Sequence, residues 1–300
     1  MVRWLAALAL LLNAFTWGVS WWPFRQLQGL GVHPLWATAL IYLFALICLT
    51  VVRPGAWRGF VQHPGLWTLL LASGLANIGF NWAVTVGDVV RVVLLFYLMP
   101  AWVVVLAWPL LGERPNATSL ARLALALVGV VVVLKTPESP WPWPHTLADG
   151  LAVMGGFSFA LTNVMLRRLH GAPTASSMLA MFGGGALMAA LAALLGVQQG
   201  MVEGLPPLAP AWLGWVGAIS VFFLVGNLGL QYGAARLSAS ATSIIMLSEV
   251  VFASASAVLL GAGEISPRVI AGEVLIVLAA LLSTVSLEKP PSGAQGGKLG

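Results

Sequence analysis

Apolar residues in this 300-residue chain run in solid blocks of about twenty, without the strand-like alternation or one-sided helical stripe of a soluble domain. Ten blocks are predicted, at 3–22, 34–52, 67–86, 91–111, 117–135, 147–168, 175–196, 211–234, 239–260 and 268–286. Roughly 20 apolar residues match the hydrocarbon thickness of a bilayer. Lipid offers the backbone no hydrogen bonds, so each block is expected to be a helix. Breakers stand between the blocks: His33-Pro34, Arg53-Pro54-Gly55, Arg114-Pro115-Asn116, Pro137 through Pro144, Gly171-Ala172-Pro173, Pro206-Pro207 and Ser266-Pro267. The first block partly resembles a signal peptide, but Asn13, Trp17, Trp21 and Trp22 lie in it and no small-x-small cleavage site follows, so it reads as retained. Residues 288–300, rich in Pro, Gly and Ser, read as a disordered tail.

Composition agrees with the pattern. The chain is 60% hydrophobic and 8% charged, with a mean hydropathy of +0.96. Soluble domains carry roughly 25% charged residues, so the expectation is an all-α, multi-pass membrane protein. The net charge of +5 sits in short clusters between blocks, which excludes a nucleic-acid surface and instead sets topology. Arg3, Arg53, Arg58, Arg114, Arg122, Arg167, Arg168, Arg236, Lys289 and Lys298 fall on one side, ten in all; Arg25, Arg91, Lys135 and Arg268, four, fall on the other. That bias places both termini in the cytoplasm. Trp57, Trp67, Trp141, Trp143, Trp212 and Trp215 fall near block ends, where interfacial anchors are expected. Cys48 is the lone cysteine, which leaves no disulfide and no thiolate metal site.

Polar residues inside the blocks carry the functional signal. Asn77-Ile78-Gly79-Phe80-Asn81 recurs 150 positions later as Asn227-Leu228-Gly229-Leu230-Gln231. In both, two amides four residues apart share a helix face with a glycine close by. Further echoes occur in the same order: Phe15–Ser20 with Phe157–Thr162, Gly112-Glu113 with Gly263-Glu264, and Ala121-Arg122 with Gly272-Glu273. The chain thus reads as two five-helix units, residues 1–138 and 139–287. Five is odd, so the second unit enters from the opposite side, giving an inverted repeat around a central cavity.

Two five-helix halves, each with an aromatic-rich first helix and a Gly-Glu pair closing its fourth, resemble the EamA-type drug/metabolite transporter superfamily over residues 3–286. Length and tryptophan content look most like bacterial inner-membrane aromatic amino-acid exporters of the YddG type. The resemblance implies a ten-helix carrier that exports amino acids with aromatic or bulky apolar side chains. A related motif, an acidic residue followed by proline in the fourth helix of each half, is divided here: Met99-Pro100 keeps the proline and Glu249-Val250 the acid.

Candidate site residues follow. An unpaired amide facing lipid would cost several kcal/mol, so Asn77, Asn81, Asn227 and Gln231 are expected to line a cavity; bonding between helices is the alternative. Trp17 and Trp21 follow Asn13 at four-residue spacing, and an indole face suits an apolar or aromatic side chain. Ser158, Thr162 and Asn163 stand on the corresponding face of the sixth block, with Tyr97, Trp102, Ser243 and Met246 as weaker candidates. Glu249, in the middle of the ninth block, has three open roles: carrying a coupling proton, binding a substrate amine, or donating a structural hydrogen bond. Asp88 and Arg91 are expected to pair locally, Glu113 and Glu264 to cap helix ends, Gly183-Gly184-Gly185 to allow close packing, and Pro100 to bend its helix. No catalytic or nucleotide-binding motif occurs, so the chain is read as a non-enzyme without cofactor or metal. Its partners are a small-molecule substrate and the bilayer, and it works as a monomer or weak homo-oligomer. Other metabolites or cationic drugs as substrates, and a non-transporting sensor or scaffold, are the competing readings. Proton exchange and facilitated diffusion both stay open.

Overall fold

The computed structural model describes residues 2–87, 89–134, 144–261 and 266–285. The tail at 288–300, the 138/139 boundary, Asp88, Lys135, Pro137 through Trp143 and Gly263-Glu264 lie outside the described residues. Among the described residues there is no strand. The helices are α1 (Val2–Gly29), α2 (Pro34–Val52), a 3-10 turn (Pro54–Arg58) leading into α3 (Gly59–Gln62), α4 (Gly65–Val86), α5 (Val89–Phe96), α6 (Met99–Leu111) and α7 (Ala117–Leu134). They continue as α8 (Leu147–Arg168), α9 (Thr174–Gln198), α10 (Pro210–Ala234), α11 (Ala239–Met246), α12 (Ser248–Leu259) and α13 (Pro267–Val285).

Seven segments are long and apolar enough to cross a membrane: Trp4–Gly29, Pro34–Val52, Arg91–Leu111, Leu147–Arg168, Thr174–Gln198, Pro210–Ala234 and Ala239–Leu259. The remaining predicted blocks fall on α4, α7 and α13. Leucine, valine and isoleucine side chains stand exposed on the long helices, as on Leu8, Val105, Leu191 and Leu282, while serine, threonine and asparagine are buried. That inversion of a soluble protein suits a multi-pass membrane protein whose outer face meets hydrocarbon.

Three boundaries differ from expectation. Helix α1 runs seven residues past the predicted end at Trp22, through Pro23, because Leu27 beyond it is completely buried. The fourth and ninth blocks are each two helices. At the junctions the hydrogen bonds shorten by one residue: Leu98 N to Leu95 O and Ala101 N to Leu98 O in the first half, Leu247 N to Ile244 O and Val250 N to Leu247 O in the second. These 3-10 turns occupy matching places in the two halves. Pro100 accompanies the first junction; no proline marks the second. Trp57 and Trp67 are exposed at helix ends as anchors, whereas Trp212 is buried and donates to the Pro207 carbonyl at 3.0 Å.

Packing obeys one exchange rule. α4 lies along α8 and α1 along α10; α8 packs on α5 and α6, and α1 on α11 and α12; α2 packs on α9, α6 on α11, and α7 on α13. Exchanging the first five blocks for the last five maps these pairs onto each other. Side chains repeat the rule at the ends: Trp36, opening α2, donates to Glu203 O at 3.1 Å, and Ser176, opening α9, donates to Ala56 O at 2.7 Å.

Glycines stand at the crossings. A Cβ on Gly79 would lie 2.7 Å from the Leu151 carbonyl oxygen of α8, and one on Gly229 would collide with the Ala9 carbonyl of α1. Gly129 and Gly272 face each other across α7 and α13, each leaving 2.7 Å to the other's carbonyl oxygen. Of the triple glycine, Gly184 abuts Leu70 O and Gly185 the Tyr42 ring, while Gly183 has slack beside Leu46. Gly79→Ala and Gly229→Ala are expected to destabilise the protein by about 1–3 kcal/mol each, read by thermal unfolding in detergent. Gly150→Ala, which meets open space, is the neutral control; equal melting temperatures for all three would contradict the crossing geometry.

Candidate functional site

The two amide motifs converge on one polar-aromatic network built by α1, α2, α4, α9 and α10. Trp17 of α1 lies on Phe223 of α10, ring centroids 4.6 Å apart. Phe223 meets the edge of Tyr42 at 6.1 Å, and Tyr42 meets Phe182 at 5.4 Å. The Tyr42 hydroxyl donates to Asn77 Oδ1 at 3.0 Å, and Asn77 Nδ2 donates to the Ser73 carbonyl at 2.8 Å. On the other side, Asn227 Nδ2 and Gln231 Nε2 reach the thioether sulfur of Met181 at 3.5 and 3.2 Å, and Gln231 Nε2 lies 3.4 Å from Asn227 Oδ1.

The four amides are therefore unequal. Asn77 has strong partners on both ends, and Asn81 Nδ2 donates to Thr38 Oγ1 at 2.7 Å. For this pair, bonding between helices is what the structure contains. The donors of Asn227 and Gln231 meet only a thioether, a weak acceptor, and each other. Tyr42, Met181 and Phe223 were not singled out by the sequence, since one tyrosine, one methionine and one phenylalanine inside apolar blocks look like ordinary packing.

The other candidates fall into separate neighbourhoods. Trp21 donates through Nε1 to Ser256 Oγ at 2.9 Å, tying α1 to α12 away from Trp17. Ser158 is buried on α8, and its carbonyl accepts from Thr162 Oγ1 at 3.0 Å. Asn163 is wholly buried, and among the described residues neither amide atom has a hydrogen-bond partner. The same holds for Trp102 Nε1, Thr242 Oγ1 and Asn13 Oδ1. Glu249 stands in the first turn of α12, beside the tightened turn at Leu247, and its carboxyl interacts with the phenol of Tyr97 at the matching junction of the first half. α1 crosses there: a Cβ on Gly18 would lie 2.6 Å from the Glu249 carbonyl oxygen. Ser243 and Met246 are buried on α11.

Ion pairs close both ends of the helix pair formed by α5–α6 and α8. At one end Arg91 grips Asp149 in a two-pronged pair of 2.6 and 2.9 Å. Asp149 also accepts from the His145 and Thr146 main-chain amides at 2.9 and 3.0 Å, capping α8. The expected local partner Asp88 lies outside the described residues; the observed partner of Arg91 comes from 58 positions away. At the other end Glu113 is 3.7 Å from Arg167, accepts from Ala239 N at 3.2 Å, and Arg167 donates to Ala235 O at 2.6 Å. Burial pushes the Glu113 carboxyl above the usual carboxylate range, against the lowering effects of the Ala239 amide and Arg167. Glu113 thus caps a helix, as expected, but α11 of the other half. Gly112 before it turns in the left-handed region at φ 72° and ends α6. In the second half Gly263 of the Gly-Glu echo lies outside the described residues, and Gly261, just after α12, turns in the left-handed region at φ 68°.

Two cavities of about 550 and 980 Å³ open at the arginine-rich end, near Arg168 and near Arg53 with Arg58. None of the four amides lines either cavity; Tyr42 meets Asn77, and Met181 meets Asn227 and Gln231.

Comparison with known proteins bears on this arrangement. Residues 4–135 match the EamA-like transporter family. No curated protein matches the sequence. Among solved structures, one protein crystal structure superposes with a TM-score of 0.76 at 19% identity, covering 95% of this chain and 99% of its own. That likeness concerns the fold of both halves.

Asn163→Leu is expected to raise thermal stability, by about 1–3 kcal/mol, because it removes a buried amide that this arrangement leaves unbonded. A lowered melting temperature would mean that the amide is satisfied by the protein itself.

Proposed function

We propose that this chain is an alternating-access carrier of ten membrane-spanning segments in two inverted halves, exporting amino acids with aromatic or bulky apolar side chains across the bacterial inner membrane. Both termini lie in the cytoplasm. The observation that carries the reading is the unequal bonding of the buried amides. Asn227 and Gln231 keep hydrogen-bonding capacity that a substrate's amino and carboxyl groups can take up, in the network that holds the Trp17–Phe223 stack suited to an aromatic side chain, and Asn163 adds a further unbonded amide on α8. Asn77, Asn81 and Ser158 frame the site, and Trp21 joins it when α1 moves against α12. The matching tightened turns at Leu98 and Leu247 support the site's position, since interrupted helices in corresponding places of two halves are where carriers bind their cargo.

Flux of labelled amino acid into proteoliposomes tests the site. Asn227→Ala is expected to lower flux about 5- to 100-fold, the equivalent of one or two lost hydrogen bonds. Asn77→Ala, whose amide is occupied by Tyr42 and Ser73, is expected to lower it less. Normal transport by both variants at equal protein level would reject the assignment. A second reading, export of cationic metabolites or drugs, is favoured by Glu249 in the same interior; a substrate panel in the same vesicles separates the two. A sensor or scaffold would bind ligand without flux. Proton exchange requires a pH-gradient dependence that Glu249→Gln abolishes, whereas facilitated diffusion has none.

The end closed by Glu113 and Arg167 is the weaker gate, its ion pair longer and more exposed than the two-pronged, buried pair at Arg91 and Asp149. When this end opens, Glu113 is solvated and returns to the ordinary carboxylate range. The closed arrangement therefore binds the proton more tightly, so acidification favours closure and alkalinisation favours opening. Spin labels on Arg114→Cys and Arg236→Cys, in a Cys48→Ser background, are expected to separate as pH rises, and Glu113→Gln to remove that dependence.

A further inference from the structure

We propose that the 980 Å³ cavity at the end of α2 is a binding site for an anionic phospholipid, in the leaflet that faces the arginine-rich end. The proposal rests on the membrane-spanning reading of the helices, and not on the identity of the cargo.

The cavity is a groove between α2, the start of α9 and the later turns of α10. Val52, Met178, Leu224 and Leu228 make its walls apolar, and Arg53 and Arg58 stand at its mouth. Val52 and Leu228 are themselves exposed, so the groove opens sideways, toward lipid. A hydrocarbon chain fits the walls, and an anion fits the mouth. A zwitterionic headgroup would bring its own cation against the two guanidinium groups.

The mouth is fixed in place. Ser176 Oγ holds Ala56 O at 2.7 Å, and a side chain at Gly59 would collide with Ser176. The 3-10 turn carrying Arg58 is thereby clamped to the start of α9. Its depth is marked by aromatic rings: Trp57, Phe60 and Trp67 touch in sequence, centroids 6.0 and 4.8 Å apart, with Trp57 and Trp67 exposed. Such exposed tryptophans sit at the headgroup level. Two arginines held at that level beside an apolar groove match the way basic pockets between helices hold acidic headgroups. The topology that places this end in the cytoplasm supplies a negatively charged leaflet.

Cys48, the one cysteine, lines the same groove and reports on it without engineering. In detergent, added dioleoyl phosphatidylglycerol is expected to slow maleimide labelling of Cys48 at concentrations on the order of 10-fold below those needed for dioleoyl phosphatidylcholine. The Arg53→Gln/Arg58→Gln double variant should bring phosphatidylglycerol to the phosphatidylcholine level, and Arg114→Gln should leave the preference intact. Leu228→Trp, which fills the groove while keeping both arginines, should abolish lipid adducts in native mass spectrometry. Equal protection by the two lipids, or full preference in the double variant, would overturn the proposal. So would protection by inorganic phosphate alone, which would make this an anion site. Absence of amino-acid flux in the unaltered protein, with lipid protection intact, would count against the carrier reading and leave the lipid site standing.

Discussion

Helices in a bilayer gain nothing by hiding apolar surface from one another, so they associate through close approach of their backbones and through hydrogen bonds between them. Everything in this bundle follows from meeting that requirement. Gly79 against Leu151, Gly229 against Ala9, and Gly129 against Gly272 bring three pairs of helices to main-chain distance. Each of these contacts joins the first half of the chain to the second. The halves are thus interleaved units, neither of which has a complete set of neighbours without the other. The glycine inside each amide motif sets the crossing, and the crossing in turn decides where the flanking amides point.

Much of this was legible in the order of residue types. Twenty-residue apolar blocks locate the helices because hydrocarbon thickness allows little else. The paired amide-glycine motif marks the crossings because glycine and amide are both costly in a lipid-facing helix. Other features left no local trace. The tightened turn at Leu247 has no proline or glycine to announce it, and the bond from Arg91 to Asp149 spans 58 positions of the chain. Nor can sequence spacing tell an amide that is already satisfied from one that is not. Asn81 and Gln231 hold equivalent places in their motifs, yet one finds a hydroxyl on α2 and the other a methionine sulfur on α9.

That last contrast gives the interior its asymmetry. A duplicated framework begins with two equivalent faces; here Tyr42 satisfies one of them, and the weakly held donors of the other face α9. Unfilled hydrogen-bonding capacity is thereby concentrated on the amides of the second half. The aromatic contacts from Trp17 through Phe223 to Tyr42 join α10 of the second half to α1 and α2 of the first.

The cap that Glu113 places on α11 has a consequence for biosynthesis. Its carboxylate leaves the ribosome 126 residues before the Ala239 amide that it completes. Through most of insertion that glutamate waits at the membrane surface, and the start of α11 enters the bundle only once it meets a residue made long before. Closure of this end therefore belongs to the last stage of assembly, and a chain stopped before α11 would carry the mark of its incompleteness as an unmatched acid at the interface.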